Sequence, residues 1–179
     1  MKNRFLMFSV ASLLFLLFNA MYCVENPEAK EKLVSIEVDN IDNSGKKMIS
    51  AGNSIKKEAL VLGVKHFSSI SGMDDMWYEP RFTRTNKDFI NTVGFVKIFA
   101  NTDFSSDYPH GKDISHLFAR YIPEINDKIS NTDILRNYSF FLVLKEIPNP
   151  GRHSFKLVYE LNEKSEEAIE YITEPILLN

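Results

Sequence analysis

Residues 113–129 read DISHLFARYIPEINDKI. Within this segment Ile114, Leu117, Phe118, Tyr121, Ile122, Ile125 and Ile129 recur at spacings of 3, 1, 3, 1, 3 and 4. That repeat lines one face of an α-helix with 3.6 residues per turn. Asp113 stands where an N-cap belongs, its short carboxylate in reach of the first free N–H groups. Pro123 lacks an N–H and collides with the preceding turn, so the stripe reads as a kinked helix or two short helices sharing one buried face. A helix here sets the fold class: α+β, with one or two helices packed on an antiparallel sheet of four to five strands that ends in a C-terminal β-meander.

On the N-terminal side of this segment, residues 101–111 form a polar loop carrying Asp103, Asp107, Pro109 and His110. Before it, residues 93–99 put Val96 and Ile98 on one side and Val93, Phe95 and Phe99 on the other, as a central strand does. Residues 63–88 mix Ser, Gly and Asp with Met and aromatic residues and read as irregular structure with one short element. Residues 46–62 space Met48, Gly52, Ile55, Ala59 and Leu62 at 4, 3, 4 and 3, a second helical face. Residues 40–45 form a turn, and 33–38 alternate as a half-buried strand.

Toward the C-terminus, residues 138–147 and 154–161 are rich in Phe, Leu, Val and Tyr and flank the turn formers Pro148, Asn149, Pro150 and Gly151, which predicts a hairpin. Phe155, Leu157, Tyr159 and Leu161 share a face, with Lys156 and Glu160 on the wet side. Residues 168–173 read as a third strand, the alternative being a short helix capped by Ser165. Ile176, Leu177 and Leu178 make an apolar tail that docks on the core or on a partner.

The chain of 179 residues opens on Lys2 and Arg4 followed by an apolar run over 5–18, the pattern of a secretory signal peptide. Residues 1–23 are read as that signal, 24–32 as a flexible leader and 33–179 as a single domain. The run falls short of the ~20 residues a spanning helix needs. An uncleaved membrane anchor, or lipid on Cys23, is the alternative. Cys23 is the sole cysteine, so the mature domain has neither a disulfide nor a Cys-based zinc site. Without the signal, 19 basic residues face 24 acidic ones, and Lys46-Lys47 and Lys56-Lys57 lie near acids, which argues against nucleic-acid binding.

Candidate chemistry is sparse. His110 and His116 with Asp107 could ligate a metal, but their spacing matches neither the H-E-x-x-H helix nor a calcium loop, and a solvated loop is the plainer reading. Ser71 lacks the G-x-S-x-G elbow, and no phosphate-binding glycine motif is present. Met76, Trp77, Tyr78, Arg81 and Phe82 gather the contact groups that interfaces favour, against the simpler role of capping the core. Asn137 heads the N-x-[ST] sequon Asn137-Tyr138-Ser139, a glycan acceptor in a eukaryotic secretory route. The composition, rich in Asn, Lys, Ile and Phe, suits AT-rich coding. The expectation is an exported, non-enzymatic protein without cofactor that binds a protein partner or small ligand, such as a secreted effector of a parasite or bacterium. A small metal-dependent hydrolase and a membrane- or lipid-anchored envelope component are the rival readings.

Overall fold

Alternation of inward and outward side chains, not a helical repeat, organises the chain. The computed structural model describes residues 31–45, 48–70, 81–83, 89–122, 137–162 and 167–179. Its strands are β1 (Glu31–Asp42), β2 (Ile49–Ser50), β3 (Ser54–Ile55), β4 (Leu60–Ile70), β5 (Arg81–Thr83), β6 (Lys97–Ala100), β7 (Phe118–Tyr121), β8 (Phe140–Leu144), β9 (Gly151–His153), β10 (Phe155–Tyr159), β11 (Ile169–Ile172) and β12 (Ile176–Leu178). Two single 3-10 turns, Lys57–Ala59 and Ser115–Leu117, are the helical elements among the described residues. The α+β expectation is therefore corrected to an all-β fold.

The largest sheet runs β2-β1-β4-β8-β7, with β5 on the same edge of β4 as β8. Two three-stranded sheets, β11-β10-β6 and β3-β12-β9, lie against its inner face. The joint core takes Ile36 and Val38 from β1, Leu60, Leu62 and Val64 from β4, and Phe140 and Leu142 from β8. These meet Ile98, Phe155, Leu157, Ile176 and Leu178 from the opposing sheets. Period 2 explains the set, since every second residue of each strand points into the layer between sheets.

The two helical readings fail for separate reasons. In 113–129, Ile114, Leu117 and Phe118 are all buried, but because the chain crosses there from one sheet to the other. Ile114 N–H bonds Ile98 O, the 3-10 turn follows, and β7 then pairs with β8. Beyond the turn the period becomes 2, with Phe118, Arg120 and Ile122 inward and Tyr121 51% exposed. Asp113 caps no helix; its carboxylate accepts from the N–H and hydroxyl of Ser115. Residues 123–129 lie outside the described residues. In 46–62, the spacing of Met48, Gly52, Ile55, Ala59 and Leu62 coincides with helical phase, yet Leu60, Val61 and Leu62 are consecutively buried. A strand covered on both faces requires that; an amphipathic helix forbids it.

The C-terminal half is corrected as well. Residues 140–144 and 155–159 are strands but do not pair with each other; β8 joins β4 and β7, whereas β10 lies between β6 and β11. The turn-rich linker holds β9, which pairs with β12 in the third sheet. The meander survives only as the β10-β11 hairpin, so the strand reading of 168–173 holds. Phe155, Leu157 and Tyr159 are buried as expected, and Lys156 and Glu160 on the other face pair with Glu170 and Lys97. The apolar tail docks as β12, parallel to β3. β6 is an edge strand of its sheet, not a central one. β1 begins at Glu31 and runs to Asp42, longer at both ends than the alternation suggested.

On the outer face of the large sheet Ile41, Val61, Tyr138 and Phe141 form a second, smaller cluster. Tyr138 lies over Gly63 so closely that a Cβ there would stand 2.6 Å from its ring. The ring cannot swing out cheaply, because its hydroxyl donates to Asp39 Oδ2 at 2.8 Å. Gly63→Ala is expected to destabilise the fold by about 1–3 kcal/mol, the usual cost of overpacking. Urea denaturation measures it, and Tyr138→Leu should relieve most of the penalty. An unshifted midpoint in Gly63→Ala would show that the ring is not fixed there.

Candidate ligand pocket

β7 is an edge strand, and its inward face carries Phe118 and Arg120. Opposite stand β6, with Ile98, and the turn before it. Gly94 adopts φ 67°, a left-handed conformation that favours glycine, and it presents Phe95 and Val96 to the seam between the sheets. Phe140 and Leu142 from β8 and Tyr159 from β10 close the inner end. The result is a cavity of about 250 Å³ lined by Phe95, Val96, Ile98, Ser115, Phe118, Arg120, Phe140, Leu142 and Tyr159.

Arg120 is the cation of this seam. Its guanidinium carbon lies 4.4 Å from the ring centroid of Phe140 and 5.2 Å from that of Phe95. Its Nε is buried with no hydrogen-bond partner, and no acidic side chain pairs with it among the described residues. Ser115 at the rim is committed, accepting from Ile98 N–H at 2.9 Å and donating to Asp113 Oδ1 at 2.6 Å.

Behind Phe140 sits His66, 2% exposed, ringed by Phe89, Phe140 and Tyr159 at centroid distances of 5.0, 5.2 and 5.5 Å. Its Nε2 lies 3.0 Å from the Tyr159 hydroxyl, and its Nδ1 is buried with no partner. A bare lone pair is tolerated better than an orphaned N–H, so the Nε2–H tautomer fits the site. Desolvation, helped by the Arg120 charge, pushes the imidazole pKa down to about 3. His66 is thus neutral near pH 7 and adds no second positive charge.

Two larger depressions are more polar. One, about 590 Å³, is bounded by Asn40, Asn53, Arg152 and Glu174, where Asn40 Nδ2 donates to Glu174 O. The other, about 550 Å³, holds Glu37, Asp39, Lys65, Phe67, Phe82, Asn137 and Tyr138. Its polar groups satisfy one another. Lys65 Nζ lies 2.9 Å from Asp39 and 3.4 Å from Glu37, and burial with the Asp39 bond raises the Tyr138 hydroxyl above its ordinary pKa.

The residues singled out in the sequence scatter. Met76, Trp77 and Tyr78 lie outside the described residues. Arg81 and Phe82 belong to β5, and the Phe82 ring, 39% exposed, meets Phe67 edge-on at 6.4 Å. Asn137 is exposed in the same shallow depression as Phe82, a neighbourhood that sequence separation concealed. His110 Nδ1 lies 3.0 Å from Asn101 O, and His116 Nε2 lies 3.1 Å from the Tyr108 hydroxyl. Asp107 is exposed. No three His, Cys, Asp or Glu side chains converge as metal ligands among the described residues. Nor is any helix among them long and apolar enough to cross a membrane.

Arg120 and Phe140 escaped the sequence reading, Phe95 figured in it only as a strand residue, and His66 only through its nearness in sequence to Asp74 and Asp75, which is no triad geometry. The available signal was Arg120 itself, a charge between Phe118 and Ile122 in a strand-length apolar run, which the helical reading of 113–129 does not address. The chain matches no protein-family model, no curated protein and no solved structure.

Proposed function

We propose that this is an exported, non-enzymatic binding protein that takes a small, largely apolar ligand into the seam between β6 and β7. The observation that carries this reading is the cavity itself. It is a cleft open to solvent at its rim, where Phe95 is 65% exposed. A space of about 250 Å³ has the volume of about eight waters, and its walls are mostly apolar and aromatic. Such a wall gains little from being wetted and more from an apolar occupant. The wall's polar rim is committed to structural bonds rather than arranged as a nucleophile and base, as the Ser115 contacts illustrate. Export rests on the basic and apolar start of the chain.

The test uses neutral probes, 1-hexanol and toluene, followed by NMR of the aromatic side chains. Saturable shifts of the Phe95, Phe118 and Phe140 resonances are expected. A rim-filling variant, Val96→Phe, should abolish them while leaving the thermal melt within a few degrees of the parent. Absence of any saturable shift, or unchanged binding in a folded Val96→Phe protein, would remove the reading.

A further inference from the structure

We infer that the occupant of this cavity is an organic monoanion, a carboxylate on a short apolar body, with Arg120 as the receptor for its head group; the inference rests on reading the cavity as a ligand site.

Position comes first. The period-2 alternation of β7 puts Arg120 on the inward face between Phe118 and Ile122, where a sandwich normally places an apolar side chain. Arg120 is part-buried there, and its buried Nε has neither a hydrogen-bond partner nor a described counter-charge. A buried N–H without a partner is a place where a ligand acceptor gains a hydrogen bond that the fold does not make.

Geometry then selects the partner. The Arg120 cation lies over the Phe140 and Phe95 rings, at 4.4 and 5.2 Å from their centroids, and rings engaged in this way supply no hydrogen-bond acceptor in the plane of the guanidinium. No described hydrogen bond occupies its N–H edge. The edge is the part of arginine that binds a carboxylate with two parallel hydrogen bonds.

Charge and volume narrow the class. His66 is neutral, and Lys97 is ion-paired to Glu160, so Arg120 is the one uncompensated cation in contact with this seam among the described residues. A singly charged carboxylate balances it; a dianionic phosphate would leave a negative charge facing aromatic walls. The volume of about 250 Å³, shared between head and body, suits a chain of about six carbons or a single aromatic ring.

Calorimetry on the full folded chain, in low salt at pH 7, tests this with matched pairs: hexanoate against 1-hexanol, and 3-phenylpropanoate against 3-phenylpropan-1-ol. The carboxylates are expected to bind at least tenfold tighter than their alcohols. Arg120→Met should erase that preference, bringing each acid to within about threefold of its own alcohol, and Arg120→Lys, which keeps charge but loses the fork, should fall between. Equal binding of acid and alcohol, or a preference that survives Arg120→Met, would overturn the inference and leave the cavity reading standing. If neither acids nor alcohols bind, both readings fall. A peptide ending in Phe with a free carboxylate distinguishes the source: tighter binding than 3-phenylpropanoate would point to a chain terminus and overturn the small-molecule assignment.

Discussion

Lowering the pH from 7 to 4 is expected to cost the fold about 3 kcal/mol through His66 alone. The imidazole is buried among Phe89, Phe140 and Tyr159, with the Arg120 charge nearby, and its pKa in the fold falls to about 3 from an ordinary 6.5. Between those two values the unfolded chain binds a proton that the folded chain refuses. Stability therefore rises with pH across this window. The full contribution is present above about pH 6.5 and is lost as the pH falls toward 3. The slope for one proton is about 1.4 kcal/mol per pH unit. Carboxylates titrate in the lower part of the same range, so the clean measurement is a difference. Urea midpoints of wild type and His66→Gln, taken from pH 7 to 4, should converge as the pH falls, since glutamine keeps a hydrogen bond to Tyr159 and cannot protonate. Parallel profiles would mean that His66 is protonated in the fold or reached by solvent.

How legible all this was follows from which residues carry period 2 in the open. The strand at 33–38 and the inward set Phe155, Leu157, Tyr159 were readable because polar residues alternate with apolar ones there. Segment 59–64 was not, since a strand buried on both faces has no alternation to show, and the spacing of Ile55, Ala59 and Leu62 supplied a helical coincidence. Segment 113–122 misled for a different reason: a 3-10 turn between two extended stretches buries residues at i, i+3 and i+4, as a helix does. A helical reading of 118–122 gives no reason to place Arg120 between Phe118 and Ile122 on one inward face, so the pocket is not visible from it. The pairing of β8 and β10 was hidden too, because a turn-rich linker signals a reversal of direction and says nothing about which sheet receives the next strand. His66 stood in an apolar run, but only tertiary packing places Phe89, Phe140 and Tyr159 around it.

Phe140 belongs to three of these arrangements at once, and its truncation is the second large effect expected. Its side chain is fully buried opposite Val64 in the inner layer, its edge meets His66 at 5.2 Å, and its face carries the Arg120 guanidinium at 4.4 Å. Phe140→Ala should cost about 3–5 kcal/mol, the range for deleting a buried ring and leaving a cavity. Phe140→Leu conserves most of the volume and should cost less than about 1.5 kcal/mol. The leucine variant isolates the ring's second role. Without an aromatic face to lie on, Arg120 must be ordered when the ligand arrives, which costs about 0.5–1.5 kcal/mol for one immobilised side chain. Hexanoate should then bind about two- to tenfold more weakly while 1-hexanol is unaffected. Thermal denaturation and calorimetry on the two variants separate these contributions. A leucine variant as unstable as the alanine one would assign the ring's value to aromatic contacts rather than to volume. Equal loss of acid and alcohol affinity would mean that Phe140 shapes the cavity without orienting its arginine.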